Sequence, residues 1–66
     1  MENKIRVARA ESRMTQQQLA DAVGVRRQTI NAIESGKFVP STIVAMKIAR
    51  VFERPVEEIF SLEEGD

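Results

Sequence analysis

The segment GVRRQTINAIE, residues 24–34, holds the side chains best suited to recognise another molecule. On a helical wheel centred on Ile30, positions 28, 31, 32 and 35 point outward, and positions 27 and 29 flank them. In the DNA major groove, arginine can pair with guanine O6 and N7, and glutamine with adenine N6 and N7. The residues predicted to meet the major groove are Arg27, Gln28, Thr29, Asn31 and Ala32. Of these, Asn31 suits a base or a phosphate, and Ala32 suits a thymine methyl group.

Cationic and amide groups border this segment and are suited to phosphate. Arg26 precedes the helix and Lys37 follows it, while Gln16 and Gln17 lie at the predicted start of the preceding helix, where free N–H groups attract anions. For any one of these residues, an ordinary solvated surface is the alternative. The turn, the caps, the apolar spacing and the charge distribution all agree, and this agreement favours double-stranded DNA as the partner.

Short helices are predicted to position these residues. Thr15 and Gln18 have the spacing of a capping box, Gly24 and Gly36 end two of the helices, and Ser41 can cap another. Because no segment alternates as a strand does, the predicted fold class is all-α. Only three residues separate the second and third helices, which is typical of a helix-turn-helix. The five predicted helices span residues 3–12, 15–23, 27–35 and 42–53, with the fifth starting at Pro55 in its first helical position.

Composition excludes several classes of function. The 66-residue chain has no Cys and no His, so it lacks thiolate and imidazole chemistry and the ligands of most zinc sites. A domain this small also leaves little room for a pocket of roughly 300 Å³ or more that would desolvate and tune a catalytic group. We therefore expect no enzymatic activity, no metal and no cofactor. No apolar run reaches the roughly 18 residues of a membrane span, and no signal peptide is recognisable, so a cytoplasmic protein without a membrane partner is expected.

A net charge of zero conceals an uneven distribution. Residues 1–50 contain nine basic and four acidic side chains, a net charge of +5, whereas residues 51–66 contain one basic and six acidic side chains, a net charge of −5. This asymmetry indicates a cationic working surface, although chance in a short chain is the alternative. The predicted domain comprises residues 1–62. Residues 63–66 are predicted to form an acidic tail that frays.

Three blocks, MTQQQLADAVGV, RQTINAIESGK and PVEEIF, occur in the order and at the spacing of one known family. From Lys4 to Phe60 the chain resembles the Cro/CI-type helix-turn-helix proteins, the XRE family of bacterial and phage repressors. The resemblance implies a compact five-helix, lambda-repressor-like domain that binds operator DNA, usually as a dimer. It also implies phosphate contacts by Gln16 and Lys37, together with base contacts by Arg27, Gln28, Asn31 and Ala32.

Members of this family often pair an arginine of the first helix with a glutamate of the third, which here implies a pair between Arg9 and Glu34. The helical wheel agrees, because each charge lies only 40° from an apolar residue at 100° per residue. Buried charges are tolerated when they are paired. Two unrelated side chains that extend to solvent are the alternative.

Three positions depart from the family pattern. Arg26 stands where Ser or Thr commonly caps the recognition helix, and arginine cannot accept that N–H bond. Glu53 stands near a common glycine, so it must adopt a strained conformation or the helix must end differently. Ile43 replaces a frequent acidic residue, and it shares a face with Met46 away from the core. The candidate dimer interface comprises Ile43, Met46, Phe60 and Leu62, with scattered surface apolar residues as the alternative.

The leading hypothesis is a sequence-specific DNA-binding transcriptional regulator, a repressor that acts as a homodimer on a pseudo-palindromic operator. Its half-sites would lie about 34 Å apart. The alternative is a protein-binding module with the same fold, such as an antitoxin that binds a toxin and represses its own operon. Single-stranded nucleic acid is disfavoured because stacking needs exposed aromatic rings, and the chain has three Phe as its only aromatic residues.

Overall fold

The computed structural model describes all 66 residues and contains five helices, which confirms the predicted fold class. The sequence analysis missed one feature, a short antiparallel pair of strands in which Glu2 faces Ser61 and Asn3 faces Phe60. Two residues per strand are too few to show alternation in a sequence. The elements are β1 (Glu2–Asn3), α1 (Ile5–Glu11), α2 (Gln16–Val23), α3 (Arg27–Glu34), α4 (Thr42–Val51), α5 (Val56–Ile59) and β2 (Phe60–Ser61).

The predicted helix caps are confirmed. The backbone N–H of Gln18 donates to Thr15 Oγ1 over 3.0 Å, and the backbone N–H of Thr15 donates to Gln18 Oε1 over 2.9 Å. Ser41 Oγ accepts the N–H of Val44 over 3.2 Å at the start of α4. Gly24 ends α2 with a φ of 85°, a conformation that glycine adopts without steric cost.

Each helix differs from its predicted range by one or two residues, and three of these differences have a clear structural cause. In α1 the first helical residue is Ile5, because Asn3 belongs to β1 and accepts the N–H of Ile5 on its side-chain oxygen over 3.2 Å. In α4 the last helical residue is Val51, and Glu53 then takes a φ of 55°, a strained conformation for a residue with a side chain. Pro55 has a ψ of 149°, so it caps α5 and is not its first helical residue.

All five helices contribute to one hydrophobic core. Its largest fully buried side chains are five isoleucines and one leucine, each at most 1% exposed: Ile5, Leu19, Ile30, Ile33, Ile48 and Ile59. Burial of one such side chain contributes about 1.5–3 kcal/mol. The most extensive packing between helices joins α2 to α3 and α2 to α4. The core therefore fixes the inward face of α3 and leaves its other face at the surface.

The two chain ends meet beside β1 and β2, where residues 63–66 are exposed and bond to each other and to Met1, so their fraying stays a prediction. Asp66 Oδ2 lies 3.0 Å from the Met1 amino group and accepts the backbone N–H of Glu63 over 2.8 Å. The bond from Glu63 and that from the amino group lower the pKa of the Asp66 carboxyl, and the Asp66 carboxylate raises the pKa of the Met1 amino group.

None of the five helices has the length and hydrophobicity that a membrane span requires.

Candidate nucleic-acid interface

The turn between α2 and α3 consists of Gly24, Val25 and Arg26. The N–H groups of Gly24 and Val25 both donate to the Ala20 carbonyl, over 2.8 and 3.0 Å. Val25 also packs against the core. Backbone bonds and an apolar anchor together fix the turn, and this sets the direction in which α3 leaves α2.

The N-terminus of α3 has no side-chain cap. Arg26 occupies the N-cap position with an extended backbone, and its guanidinium has no acceptor to offer. Its carbonyl accepts the N–H groups of Thr29 and Ile30 over 3.0 and 3.2 Å. The first turn of a helix carries unpaired N–H groups and a partial positive charge, which attract anions. Here two arginines add full positive charges at the same place.

The outward face of α3 presents polar side chains to solvent. Arg27, Gln28 and Asn31 are exposed, whereas Thr29 and Ala32 are half-buried. Ile30 and Ile33 point into the core on the other side. The five residues predicted to meet the major groove therefore lie on or beside the outward face of one helix. An α-helix with its side chains is about 10–12 Å across, so α3 can enter a major groove about 12 Å wide.

The two glutamines at the start of α2 have different surroundings. Gln16 Nε2 lies 3.3 Å from both Asn31 Oδ1 and Glu34 Oε1, so its amide bridges α2 and α3. Gln17 Nε2 donates to Asp21 Oδ1 over 2.8 Å on the exposed face of α2. The structure brings Gln16 next to a predicted base-facing residue and leaves Gln17 at the edge of this surface.

A buried ionic network joins α1 to the end of α3. Arg9 Nε donates to Glu34 Oε2 over 2.6 Å, and the second guanidinium nitrogen donates to Glu34 Oε1 over 3.1 Å. The Glu34 side chain has 0% exposure and that of Arg9 has 16%. The remaining Arg9 nitrogen donates to the Met14 carbonyl over 2.9 Å. Each of the three guanidinium nitrogens of Arg9 thus donates a hydrogen bond to the protein.

Burial alone would raise the pKa of the Glu34 carboxyl. Hydrogen bonds from Arg9 and Gln16 and the positive charges of Arg9 and Arg6 outweigh it, so the pKa of Glu34 lies below its ordinary value. Arg6 Nε lies 3.6 Å from Glu34 Oε1 while the rest of its side chain is exposed. Arg6 was not predicted to join this pair, although its i, i+3 spacing from Arg9 places both on one face of α1.

The segment after α3 folds back onto the helix. The N–H groups of Lys37 and Phe38 both donate to the Ala32 carbonyl, over 2.9 and 3.2 Å, and Gly36 permits this with a φ of 79°. The Lys37 side chain is exposed and has no hydrogen bond or ion pair within the protein. Its cation is therefore available beside the C-terminal half of α3.

Phe38 was given no role by the sequence analysis. Its side chain is 52% exposed and forms part of an open concavity of about 410 Å³ on the surface of α3. The signal in the sequence is its position two residues after Gly36, where the chain has just left the recognition helix. The concavity is lined by Arg26, Gln28, Thr29, Ala32 and Phe38.

The predicted dimer residues do not all lie at the surface. Phe60 is only 6% exposed because its ring packs in the core beside Ile59, so its assignment to a contact surface is wrong. Ile43 and Met46 are exposed together on α4, and Leu62 is exposed after β2.

The surface carries three concavities with volumes of about 380–440 Å³. All three are open to solvent, so they do not test the expectation of little room for a pocket that desolvates a catalytic group. The largest is lined mainly by polar residues near the two chain ends, outside the surface formed by α2 and α3.

The fold and this surface define a helix-turn-helix protein. The model of the helix-turn-helix family matches residues 5–59. The chain is 45% identical over 64 residues to the HTH-type transcriptional regulator YgzD of Bacillus subtilis, covering 97% of each chain. It is 47% identical over 66 residues to an HTH-type transcriptional regulator of Methanocaldococcus jannaschii, covering 100% of each. An HTH-type transcriptional regulator of Archaeoglobus fulgidus is 50% identical, covering 100% of this chain and 93% of that protein.

The chain therefore belongs to the XRE family of helix-turn-helix transcriptional regulators, a family that binds DNA. The resemblance of the three sequence blocks to this family is confirmed.

Proposed function

We propose that this protein is a sequence-specific repressor of transcription that inserts α3 into the DNA major groove. The observation that carries the proposal is the outward face of α3, where Arg27, Gln28 and Asn31 are exposed and the helix N-terminus has no side-chain cap. Polar side chains at the start of a recognition helix are the groups that approach base edges. The absence of Cys and His fits a binding protein without catalytic or metal chemistry.

The base contacts are assigned to the outward face of α3. Arg27 suits guanine and Gln28 suits adenine, since each can form two hydrogen bonds to the major-groove edge of that base. Asn31 accepts a hydrogen bond from Gln16, which leaves its own amide N–H groups free for a base or a phosphate. Ala32 and Thr29 present methyl groups on the same face.

The phosphate contacts are assigned to the borders of this surface. Arg26 and Lys37 carry cations at the two ends of α3, and Gln16 and Gln17 belong to the first turn of α2. Such contacts set the position of the protein on the duplex, whereas the base contacts set its sequence preference. Residues 1–62 would form the DNA-binding domain. The acidic residues 63–66 would moderate binding to random DNA through repulsion of phosphate.

We further propose a homodimer on a pseudo-palindromic operator. Ile43, Met46 and Leu62 are large apolar side chains left at the surface, and a second copy is the partner that would cover them. The domain measures 31 × 22 × 20 Å, so two copies fit side by side on half-sites about 34 Å apart. An antitoxin-like role would use the same apolar face for a different protein. Since the proposed partner is chromosomal DNA, the proposed location is the cytoplasm.

The experiment is a selection of bound fragments from the source genome, followed by anisotropy titrations of the preferred fragment and of a scrambled competitor. We expect a preference of about 10³-fold or more, and an affinity that falls steeply as salt rises. The selected fragments should contain two related half-sites. If no fragment binds more tightly than the scrambled competitor at any salt concentration, the proposed function is wrong.

The dimer is tested by sedimentation of the wild type and of Ile43→Glu, with Thr42→Glu as the matched control on an adjacent exposed position of α4. Ile43→Glu should shift the equilibrium to monomer, because it places a charge on the exposed apolar face that Ile43 and Met46 form on α4. A wild type that sediments as a monomer even on operator DNA would overturn the homodimer.

A further inference from the structure

Phe38 combines an exposed ring with a fixed backbone. Its side chain is 52% exposed and is absent from the apolar residues packed against the core. Its N–H donates to the Ala32 carbonyl over 3.2 Å, as does that of Lys37 over 2.9 Å, and Pro40 is buried two residues further on. The ring is therefore held at a defined place although it contributes little to the core.

The place is the surface that is proposed to read DNA. Phe38 forms one wall of the open concavity of about 410 Å³ on α3, and Gln28 and Arg26 form its polar border. The remaining wall consists of Ala32 and Thr29, each of which carries a methyl group. Apolar atoms of a loop and of a helix thus converge beside a proposed base-reading residue.

The chemistry of this wall selects one feature of the major groove. Every base edge there presents hydrogen-bond donors, acceptors or both, and only a C5-methylated pyrimidine adds an apolar group. Ala, the Thr methyl group and Phe are the side chains that suit contact with that methyl group. All three types line this concavity.

We propose that this concavity binds the C5-methyl group of a pyrimidine in the operator and that Phe38 is a specificity-determining residue. The inference rests on the proposed DNA-binding function. The methyl group could come from thymine or from 5-methylcytosine, which present it at the same ring position. In either case the ring covers the methyl group while Gln28 hydrogen-bonds a neighbouring base edge.

The test replaces each thymine of the selected operator by uracil, one at a time, which removes only the C5-methyl group. Wild-type protein should lose about fourfold in affinity at one position of each half-site, the factor expected for one buried methyl-sized group. Phe38→Ala should bind the thymine and uracil forms of that position equally. A cytosine placed there, with and without its methyl group, determines whether 5-methylcytosine is also accepted.

Val39→Ala is the matched control, because Val39 lies in the same loop, is 60% exposed and is outside the concavity. It should keep the fourfold difference between thymine and uracil. Thermal melting of both variants should match that of the wild type, since neither side chain belongs to the core.

The contrary result is a preferred operator that loses the same affinity on replacement of thymine by uracil with Phe38→Ala as with the wild type. That result would overturn the methyl site but leave the DNA-binding function intact. It would assign the exposed ring to another partner. The absence of any preferred operator would overturn both.

Discussion

The two helices of the helix-turn-helix are stabilised in different ways. Each has eight residues, but α2 is closed locally at both ends, by the capping box of Thr15 and Gln18 and by the left-handed Gly24. By contrast, α3 begins without a side-chain cap and is held from inside, by Ile30 and Ile33 in the core and by the buried carboxylate of Glu34.

This difference separates stability from recognition along α3. Its inward and C-terminal groups contact the protein, so they determine the free energy of unfolding. Its N-terminal and outward groups have few partners within the protein, so they are available to DNA. The separation is less complete in α2, where Thr15 and Gln18 are bonded to the backbone of their own first turn while Gln16 and Gln17 bond to other side chains beside the proposed DNA surface.

The largest expected effect comes from breaking the pair between Arg9 and Glu34, which joins α1 to the end of α3. Arg9→Ala leaves the Glu34 carboxylate buried without its bidentate partner, and it should lower the free energy of unfolding by about 3–5 kcal/mol. The matched control is Arg54→Ala, which removes a 2.9 Å pair with Glu11 whose side chains are 39% and 55% exposed. That control should cost at most about 1 kcal/mol. Equal losses in urea denaturation would contradict the anchoring role of Glu34.

The same pair predicts how the free energy of unfolding depends on pH. Since the pKa of Glu34 is lowered in the folded state, the unfolded state binds more protons between the two pKa values. The stabilisation is fully present above the unfolded value near 4.5 and is lost as the pH falls through the lower folded value. Urea midpoints measured at falling pH should drop less in Glu34→Gln than in the wild type. Glu11→Gln, the exposed control, should retain the wild-type slope.

On the outward face, Arg27→Ala should cost about 1–3 kcal/mol of binding free energy at the selected operator. Because the Arg27 side chain is exposed and unpaired, the free energy of unfolding of Arg27→Ala should stay within about 0.5 kcal/mol of the wild-type value. Anisotropy and melting of the same preparation measure both quantities. A loss of stability as large as the loss of affinity would contradict the separation between the two faces.

The N-caps of α2 and α3 allow a test with smaller expected effects, in which one substitution removes a cap and another adds one. Thr15→Ala should destabilise the protein by about 1 kcal/mol because it removes the cap of α2. Arg26→Ser should stabilise it by about 0.5–1 kcal/mol, since serine can accept an N–H bond at the start of α3, and should weaken DNA binding through loss of a cation. If Arg26→Ser strengthened both stability and DNA binding, Arg26 would have no role at the phosphate backbone.

Local rules predicted the elements from the sequence. The five helices, the capping box, the Ser41 cap and the two helix-ending glycines follow from spacings within four residues, where backbone geometry and one side chain decide the outcome. Glu53 was recognised as a conflict, and its φ of 55° shows that the fold imposes the turn on a residue that is not glycine.

Contacts between distant segments were harder to predict. The pairing of β1 with β2 and the bond of Asp66 to Met1 depend on the two chain ends meeting, which no local pattern indicates. Phe60 was placed at the surface because it lies near the C-terminus, yet that meeting of the ends buries its ring. Arg9 and Glu34 form an exception, because a charge on an apolar helix face must find a partner.

The central claim, that α3 reads sequence while its borders bind phosphate, is tested most directly by one comparison of specificity ratios. Affinities for the selected operator and for scrambled DNA are measured for the wild type, Arg27→Ala and Lys37→Ala over a series of salt concentrations. Lys37→Ala should weaken binding to both DNAs alike and lower the salt slope by about 0.9, the value for one phosphate contact. Arg27→Ala should lower the ratio of operator to scrambled binding. If both substitutions lowered operator and scrambled binding equally, Arg27 would not read a base, and the account would be contradicted.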